Sequence, residues 1–261
     1  MTHLIDGVPA TVDDLAYLAL VNYGAYTSFR VEQGGVRGLD LHLARLEASA
    51  RELFGEAVGE ARLRDLMRRA VEGRGDCWLR VGLFAPEISP RAPDWSGAPR
   101  VWTAVSPAPE PLPDGLRLQS QVHEREAPQL KHAGTFGLIR ARRMARLAGF
   151  DDALFVDAAG RVSEGSLWNI GFLRGRKIVW PKAPILAGVG QALLQRGLGE
   201  VGLSSVTEPV DLGDLALFDA AFLCNSATPA AGIASIDGHA FGPAPLEALR
   251  DALASQPRQP I

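Results

Sequence analysis

The stretch that decides the fold is 131-KHAGTFGLIRARRMARLAGFDDALFVDAAGRVSEGSLWNI-170. It opens on a lysine that follows a short irregular run. Ala141, Met144, Ala145 and Ala148 then recur at spacings of three and four, with Arg140, Arg142, Arg143 and Arg146 between them. That pattern predicts an amphipathic helix with its arginines outward, ended by Gly149. Asp152 to Val156 reads as a strand, Asp157 to Gly160 as a tight turn, and Arg161 to Ser163 as the returning strand. Leu167 to Leu173 reads as another. Lys131 and Glu164 are therefore 33 positions apart, separated by regular elements that fix their spacing, and Asn169 follows five residues later. Taken singly, a lysine is usually a surface residue and a glutamate after a hairpin is usually solvated.

Upstream, residues 4 to 34 read as short extended segments around turns, with Asp6-Gly7 as a turn signal. Tyr26 to Val31 (YTSFRV) is a strand closed by Glu32 to Gly35, as a hairpin. Leu39, Leu43, Leu46, Ala50 and Leu53 give one apolar stripe, so Leu41 to Phe54 is a helix capped by Asp40 and ended by Gly55. Arg45 on that helix reads first as a solvated charge. Ala61 to Glu72 is a second amphipathic helix. Strands follow near Cys77–Phe84 and Arg100–Val105; Arg80 in the first is either a sheet-edge charge or a pocket arginine. Residues 106–115 (SPAPEPLPDG) carry four prolines in ten positions, which no helix or central strand accommodates. They read as a linker between a small N-terminal α+β domain (1–105) and a larger β-rich domain (116–261) carrying Lys131.

Downstream, Leu116 to His123 alternates like a half-buried strand, and Lys177 to Trp180 is a further strand. Pro184 to Gly190 (PILAGVG) leads into a helix near Gln191. A turn that opens a helix presents unpaired N–H groups, a place for a phosphate. Ala220–Cys224 is an apolar strand running into the polar turn Asn225-Ser226-Ala227-Thr228.

The 261 residues suffice for two modest cores, and a net charge of −3 with 47% apolar residues speaks against a nucleic-acid partner. Cys77 and Cys224 stand far apart with no metal-ligand spacing, so they read as free thiols, and no metal site is expected. No apolar run reaches a membrane span. The N-terminus shows no signal-peptide pattern. These features predict a cytoplasmic protein.

Together, YTSFRV, HLARLEASA, the Lys131 segment, GFDDALFVDAAGRVSEGSLWNI, LAGVG and FLCNSATPAAGIASIDG stand in the order found in class IV aminotransferases, and the chain resembles that family over roughly residues 20 to 240. The resemblance implies a fold-type-IV α/β chain that binds pyridoxal 5′-phosphate and moves an amino group between an amino acid and a 2-oxo acid. It implies that Lys131 joins the cofactor and shuttles protons, that Glu164 pairs with the pyridine nitrogen, and that Arg45, Val189, Gly190 and Ser226 hold the phosphate. It further implies that Tyr26 covers the pocket, that Arg80 and Ala227 meet substrate, that Asn169 supports the site, and that the chain forms a homodimer.

Several positions depart from the family pattern, among them a glycine-rich approach to the first strand shortened to Tyr23-Gly24-Ala25. Thr27-Ser28 stands where many members carry an acidic residue after the first strand's aromatic; a hydroxyl there resembles aminodeoxychorismate lyase, in which it assists proton transfer as pyruvate leaves. On that likeness Thr27 is a candidate catalytic residue, and a lyase is the alternative activity. Phe136 replaces a tyrosine, and Gly190 replaces the phosphate-turn threonine. A non-catalytic relative that keeps the fold is a third possibility. Retention of Lys131, Glu164 and Arg45 argues against it.

Overall fold

The computed structural model describes residues 2–261, and the chain divides into two compact units. The first unit runs to Pro109 and takes in two later segments, Leu130–Gly134 and Arg258–Ile261. Its elements are β1 (Thr2–Ile5), β2 (Val8–Pro9), α1 (Val12–Leu20), β3 (Ala25–Val31), β4 (Gly35–Arg37), α2 (Leu39–Phe54), α3 (Glu60–Val71), β5 (Cys77–Phe84) and β6 (Arg100–Ser106). Five strands form an antiparallel sheet in the order β2-β1-β6-β5-β3.

Strict alternation along these strands separates two faces. Phe29, Val31, Leu79, Val81, Val101 and Val105 point into one core with Leu39, Leu43, Leu46, Ala50 and Phe54 of α2 and Leu63, Leu66, Met67 and Ala70 of α3. Each fully buried Leu or Phe there contributes about 1.5–3 kcal/mol of apolar transfer. Tyr26, Ser28, Arg80 and Trp102 are on the opposite face.

Four local expectations change. The second helix begins at Leu39, and its cap position is Gly38, in a left-handed conformation, rather than Asp40. Residues 12–20 form a helix instead of an extended segment; its start is a capping box in which Thr11 Oγ1 accepts the Asp14 N–H (3.2 Å) and the Asp14 carboxylate accepts the Thr11 N–H (3.0 Å). Glu32 and Gly35 do close a tight turn. However, β4 pairs with the strand Arg258–Pro260 rather than extending a hairpin. Lys131, expected within the C-terminal domain, lies on the first unit: the Tyr26 N–H donates to the Lys131 carbonyl (2.9 Å) and the Ala133 N–H to the Gly24 carbonyl (2.8 Å), so the lysine segment runs as an added edge beside β3.

The second unit holds β7 (Leu116–Val122), α4 (Phe136–Leu147), β8 (Asp152–Val156), β9 (Val162–Gly165), β10 (Asn169–Arg174), β11 (Lys177–Pro181), α5 (Val189–Gly197), β12 (Ser204–Glu208), β13 (Ala220–Cys224), β14 (Ala231–Ile236), β15 (His239–Ala240) and α6 (Leu246–Ala254). Its mixed sheet runs β12-β11-β10-β13-β14-β7-β8-β9, with β15 added on β14. One face packs a core of Leu118, Leu154, Phe172 and Leu223; the other packs Trp180, Phe222 and Cys224 under α5 and α6. Helix α4 covers Ala153 and Phe155 through Leu138, Ala141 and Ala145. Met144, expected to face inward, is 47% exposed, and Ala148 is exposed as well.

Candidate active site

In the first unit, β3 and the lysine segment together set out a polar face. Lys131 Nζ lies 5.0 Å from the centre of the Tyr26 ring, and the Arg80 guanidinium carbon lies 4.5 Å from the same ring. Arg80 Nε donates to Ser28 Oγ at 3.2 Å. Register explains the grouping, since Ser28 pairs directly with Arg80 across β3 and β5.

Thr27 is elsewhere. Its side chain is fully buried on the core face, and its Oγ1 is 2.6 Å from Nδ1 of His42 on α2. The His42 ring also packs against Phe29, at 4.6 Å between centres. The pleat therefore turns Thr27 away from Tyr26, and the hydroxyl on the Tyr26 face belongs to Ser28. This corrects the expectation for Thr27: alternation along β3 forbids neighbours 26 and 27 from sharing a face. Burial pushes the His42 imidazole well below the ordinary histidine pKa, and the charges of Arg45 and then Lys131 push in the same direction. His42 is thus a neutral hydrogen-bonding group. Arg45 follows it by three residues on α2 and is half-buried.

In the second unit, Glu164 is at the end of β9 and is buried. Arg125 Nε is 3.7 Å from Glu164 Oε1, and the two side chains are 6% and 5% exposed. The Leu186 N–H donates to the same oxygen (3.3 Å), while Asn169 Nδ2 donates to the Leu186 carbonyl (3.0 Å). Glu164 and Asn169 thus grip one residue of the loop that leads into α5.

Helix α5 starts at Val189 with Gly188 as its cap residue and no side-chain cap. Its first N–H groups and the positive end of its dipole suit an anion. Gly190 lies against the turn after β13: a Cβ there would stand 3.0 Å from the Asn225 carbonyl carbon and oxygen. Asn225 Oδ1 accepts the N–H groups of Ala227 (2.9 Å) and Thr228 (2.7 Å). The Ala227 N–H is therefore committed within the turn.

Sequence reasoning missed Arg125, His42 and a buried cluster around Asp152, which accepts from Ser166 Oγ (2.7 Å) and Trp168 Nε1 (3.0 Å). No spacing in the sequence announces the partner of any of the three. Among the described residues, no group of three or more His, Cys, Asp or Glu side chains is placed to hold a metal ion, and no helix is long and apolar enough to cross a membrane.

The first unit thus presents a lysine beside β3, and the second a buried carboxylate after a hairpin and an uncapped helix start. The sequence profile of the family described as amino-transferase class IV matches residues 24–236. The chain belongs to the class IV aminotransferases, pyridoxal-phosphate enzymes that move an amino group between an amino acid and a 2-oxo acid. An inferred branched-chain-amino-acid aminotransferase of Methanocaldococcus jannaschii is 27% identical over 249 residues, which cover 90% of this chain and 85% of that one. The branched-chain aminotransferase of Thermoproteus uzoniensis, solved with norvaline, superposes with a TM-score of 0.81 at 21% identity, over 97% of this chain and 93% of that one. A hypothetical aminotransferase from Mycobacterium tuberculosis in its pyridoxal-phosphate-bound form superposes at 0.78 with 20% identity, over 98% of each chain. These two share the fold.

The residues of this chain fit the cofactor. Glu164 is a buried carboxylate opposed by a cation, suited to a protonated ring nitrogen. Gly190 leaves room at an uncapped helix start where a side chain would collide with Asn225, suited to a phosphate.

Proposed function

We propose that Lys131 joins the cofactor and relays the proton during amino-group transfer, and that Glu164 keeps the pyridine nitrogen protonated. Arg45, the N–H groups of Val189 and Gly190, and Ser226 hold the 5′-phosphate, by charge-assisted contacts and a helix start. When bound, the cofactor supplies an electron sink for the bonds at the amino-bearing carbon. Everything else falls to the protein. Released as a free amine when the substrate's amino group takes its place, Lys131 Nζ would take the proton from that carbon and return it at the other end of the exchange. Tyr26 bounds the pocket beside Lys131, and Arg80 takes a substrate carboxylate. Arg125, 3.7 Å from Glu164 in the same buried setting, opposes its carboxylate.

The observation that carries this reading is the buried Glu164, opposed by Arg125 and tied through Leu186 to the loop before α5. The two cysteines are free and buried, which supports a reducing, cytoplasmic setting. A homodimer is part of the proposal.

Adding pyridoxal phosphate to the purified protein should raise an absorbance band that Lys131→Ala abolishes. An amino-acid donor should then convert it to the amine form, and a 2-oxo acid should restore it. Absence of any band would refute the cofactor assignment. Pyruvate released from aminodeoxychorismate without an acceptor would replace transamination with the lyase activity. Light scattering giving the mass of a single 27.9 kDa chain would refute the dimer.

A further inference from the structure

The face of the five-stranded sheet that carries Tyr26 and Arg80 continues onto β6 and β1. Tyr26 pairs with Gly82, and Gly82 pairs with Trp102, so the three stand in one row across neighbouring strands. A Cβ on Gly82 would lie 2.9 Å from Trp102 Cε3 and 3.6 Å from Cζ3. The benzenoid edge of Trp102 therefore reaches over β5 towards Tyr26, through a gap that only glycine leaves open. At its other edge, Trp102 Nε1 donates to His3 Nδ1 at 3.2 Å, and the two rings lie 3° from parallel with centres 5.7 Å apart.

The indole N–H is thus already satisfied on the β1 side. What Trp102 extends over β5 is its apolar benzenoid edge, held in place by His3, and the ring is half-buried. A wall fixed before binding loses little freedom when a ligand stacks on it.

Arg80 is held in a comparable way. Its Nε is committed to Ser28 and its flat face lies on Tyr26. The side chain is exposed, and among the described residues no carboxylate pairs with it. The edge that remains is the two Nη groups, the geometry for a bidentate carboxylate. One residue, Val81, separates Arg80 from Gly82 along β5, so the two stand on the same face about 7 Å apart at the backbone.

We propose that Trp102, laid over Gly82 and anchored by His3, determines substrate specificity: with Arg80 fixed by Ser28 for a carboxylate, it selects amino or 2-oxo acids bearing a flat aromatic side chain over small aliphatic ones. The inference rests on the reading of Arg80 as the carboxylate-binding residue. Offset stacking on a fixed indole favours an aromatic ring beyond its area alone.

The test uses the full chain without cofactor and two unreactive acids, 3-phenylpropionate and butyrate, titrated by calorimetry. Wild type should bind 3-phenylpropionate at least about tenfold more tightly than butyrate. Trp102→Ala should abolish that preference. Gly82→Ala, whose methyl displaces the ring, should reduce it, and Trp102→Phe should keep part of it. Arg80→Gln should weaken both acids alike. Ser28→Ala should do so to a smaller extent, and Ser28→Thr should restore the loss. An unchanged ratio in a folded Trp102→Ala protein overturns the proposal, and so does equal binding of the two acids by wild type. Should Trp102→Ala fail to fold, the Gly82→Ala and Trp102→Phe ratios decide. With cofactor present, a protein that keeps the ratio but transfers no amino group refutes the aminotransferase assignment and leaves the subsite standing.

Discussion

Replacing Thr27 with valine isolates one buried hydrogen bond. Valine keeps the shape of threonine and removes the hydroxyl that meets His42 Nδ1 at 2.6 Å. Both residues are almost wholly inaccessible, at 0% and 1% exposure, so no water replaces the lost partner. The imidazole nitrogen is left unsatisfied in a dry site, which costs about 1–3 kcal/mol. Thr27→Ser keeps the hydroxyl and loses only a methyl, about 1 kcal/mol. Urea unfolding followed by circular dichroism should rank wild type, serine and valine in that order. Turnover at saturating cofactor should not change in Thr27→Val, because the hydroxyl faces the core and not the Tyr26 side of the sheet. A large fall in turnover with unaltered stability would refute this argument and return Thr27 to the reacting atoms. The pair also predicts a pH dependence. His42 is neutral in the folded chain and titrates near pH 6.5 when unfolded. Below that pH the unfolded chain binds the extra proton, so stability falls as pH drops from about 6.5 towards the lowered folded value. His42→Asn should flatten this part of the pH profile.

Gly190→Ala should weaken pyridoxal phosphate binding by tenfold or more, about 1.4 kcal/mol, since its methyl would press on the Asn225 carbonyl; equilibrium dialysis measures it. Asp152→Ala leaves Ser166 Oγ and Trp168 Nε1 without their acceptor in a buried cluster, and should destabilise the fold by about 2–4 kcal/mol in urea titrations. Cys224 has its thiol pKa pushed up by complete burial, so a thiol reagent at pH 8 should label it only after denaturant is added.

How much of this was legible in the residues depended on the kind of interaction. The α2 stripe of Leu39, Leu43, Leu46 and Ala50 announces a helix because one face meets a core, and that core exists. The first helix went unread although Val12, Leu15, Ala16 and Ala19 recur at helical spacing after a Thr11–Asp14 capping box; the helix buries none of its residues. Met144 was misassigned because alanine and methionine define a stripe loosely on a helix that packs through Leu138, Ala141 and Ala145. Lys131 and Glu164 were singled out through the order of the segments around them. The separation of Thr27 from Ser28 was also available in principle, since alternation puts only one of them beside Tyr26, but which face meets α2 depends on the paired strands. The link from Arg125 to Glu164 joins residues nearly forty positions apart and leaves no trace in spacing. Trp102 over Gly82 needed the register of β5 against β6.

The first unit draws its parts from three places in the chain, and this sets an order on its assembly during synthesis. The strand Arg258–Pro260 borders β4, Gln259 Oε1 accepts the Asp40 N–H in the first turn of α2 (2.9 Å), and the Pro260 carbonyl accepts from Arg64 (2.8 Å). Those partners leave the ribosome roughly 150 residues after Pro109, a wait of about 7–30 s at ordinary elongation rates. Until then β4 has an open edge and the first turn of α2 lacks a partner. While the second unit is being made, β4 of the nascent chain awaits residues 258–260, which pair with it and close its edge.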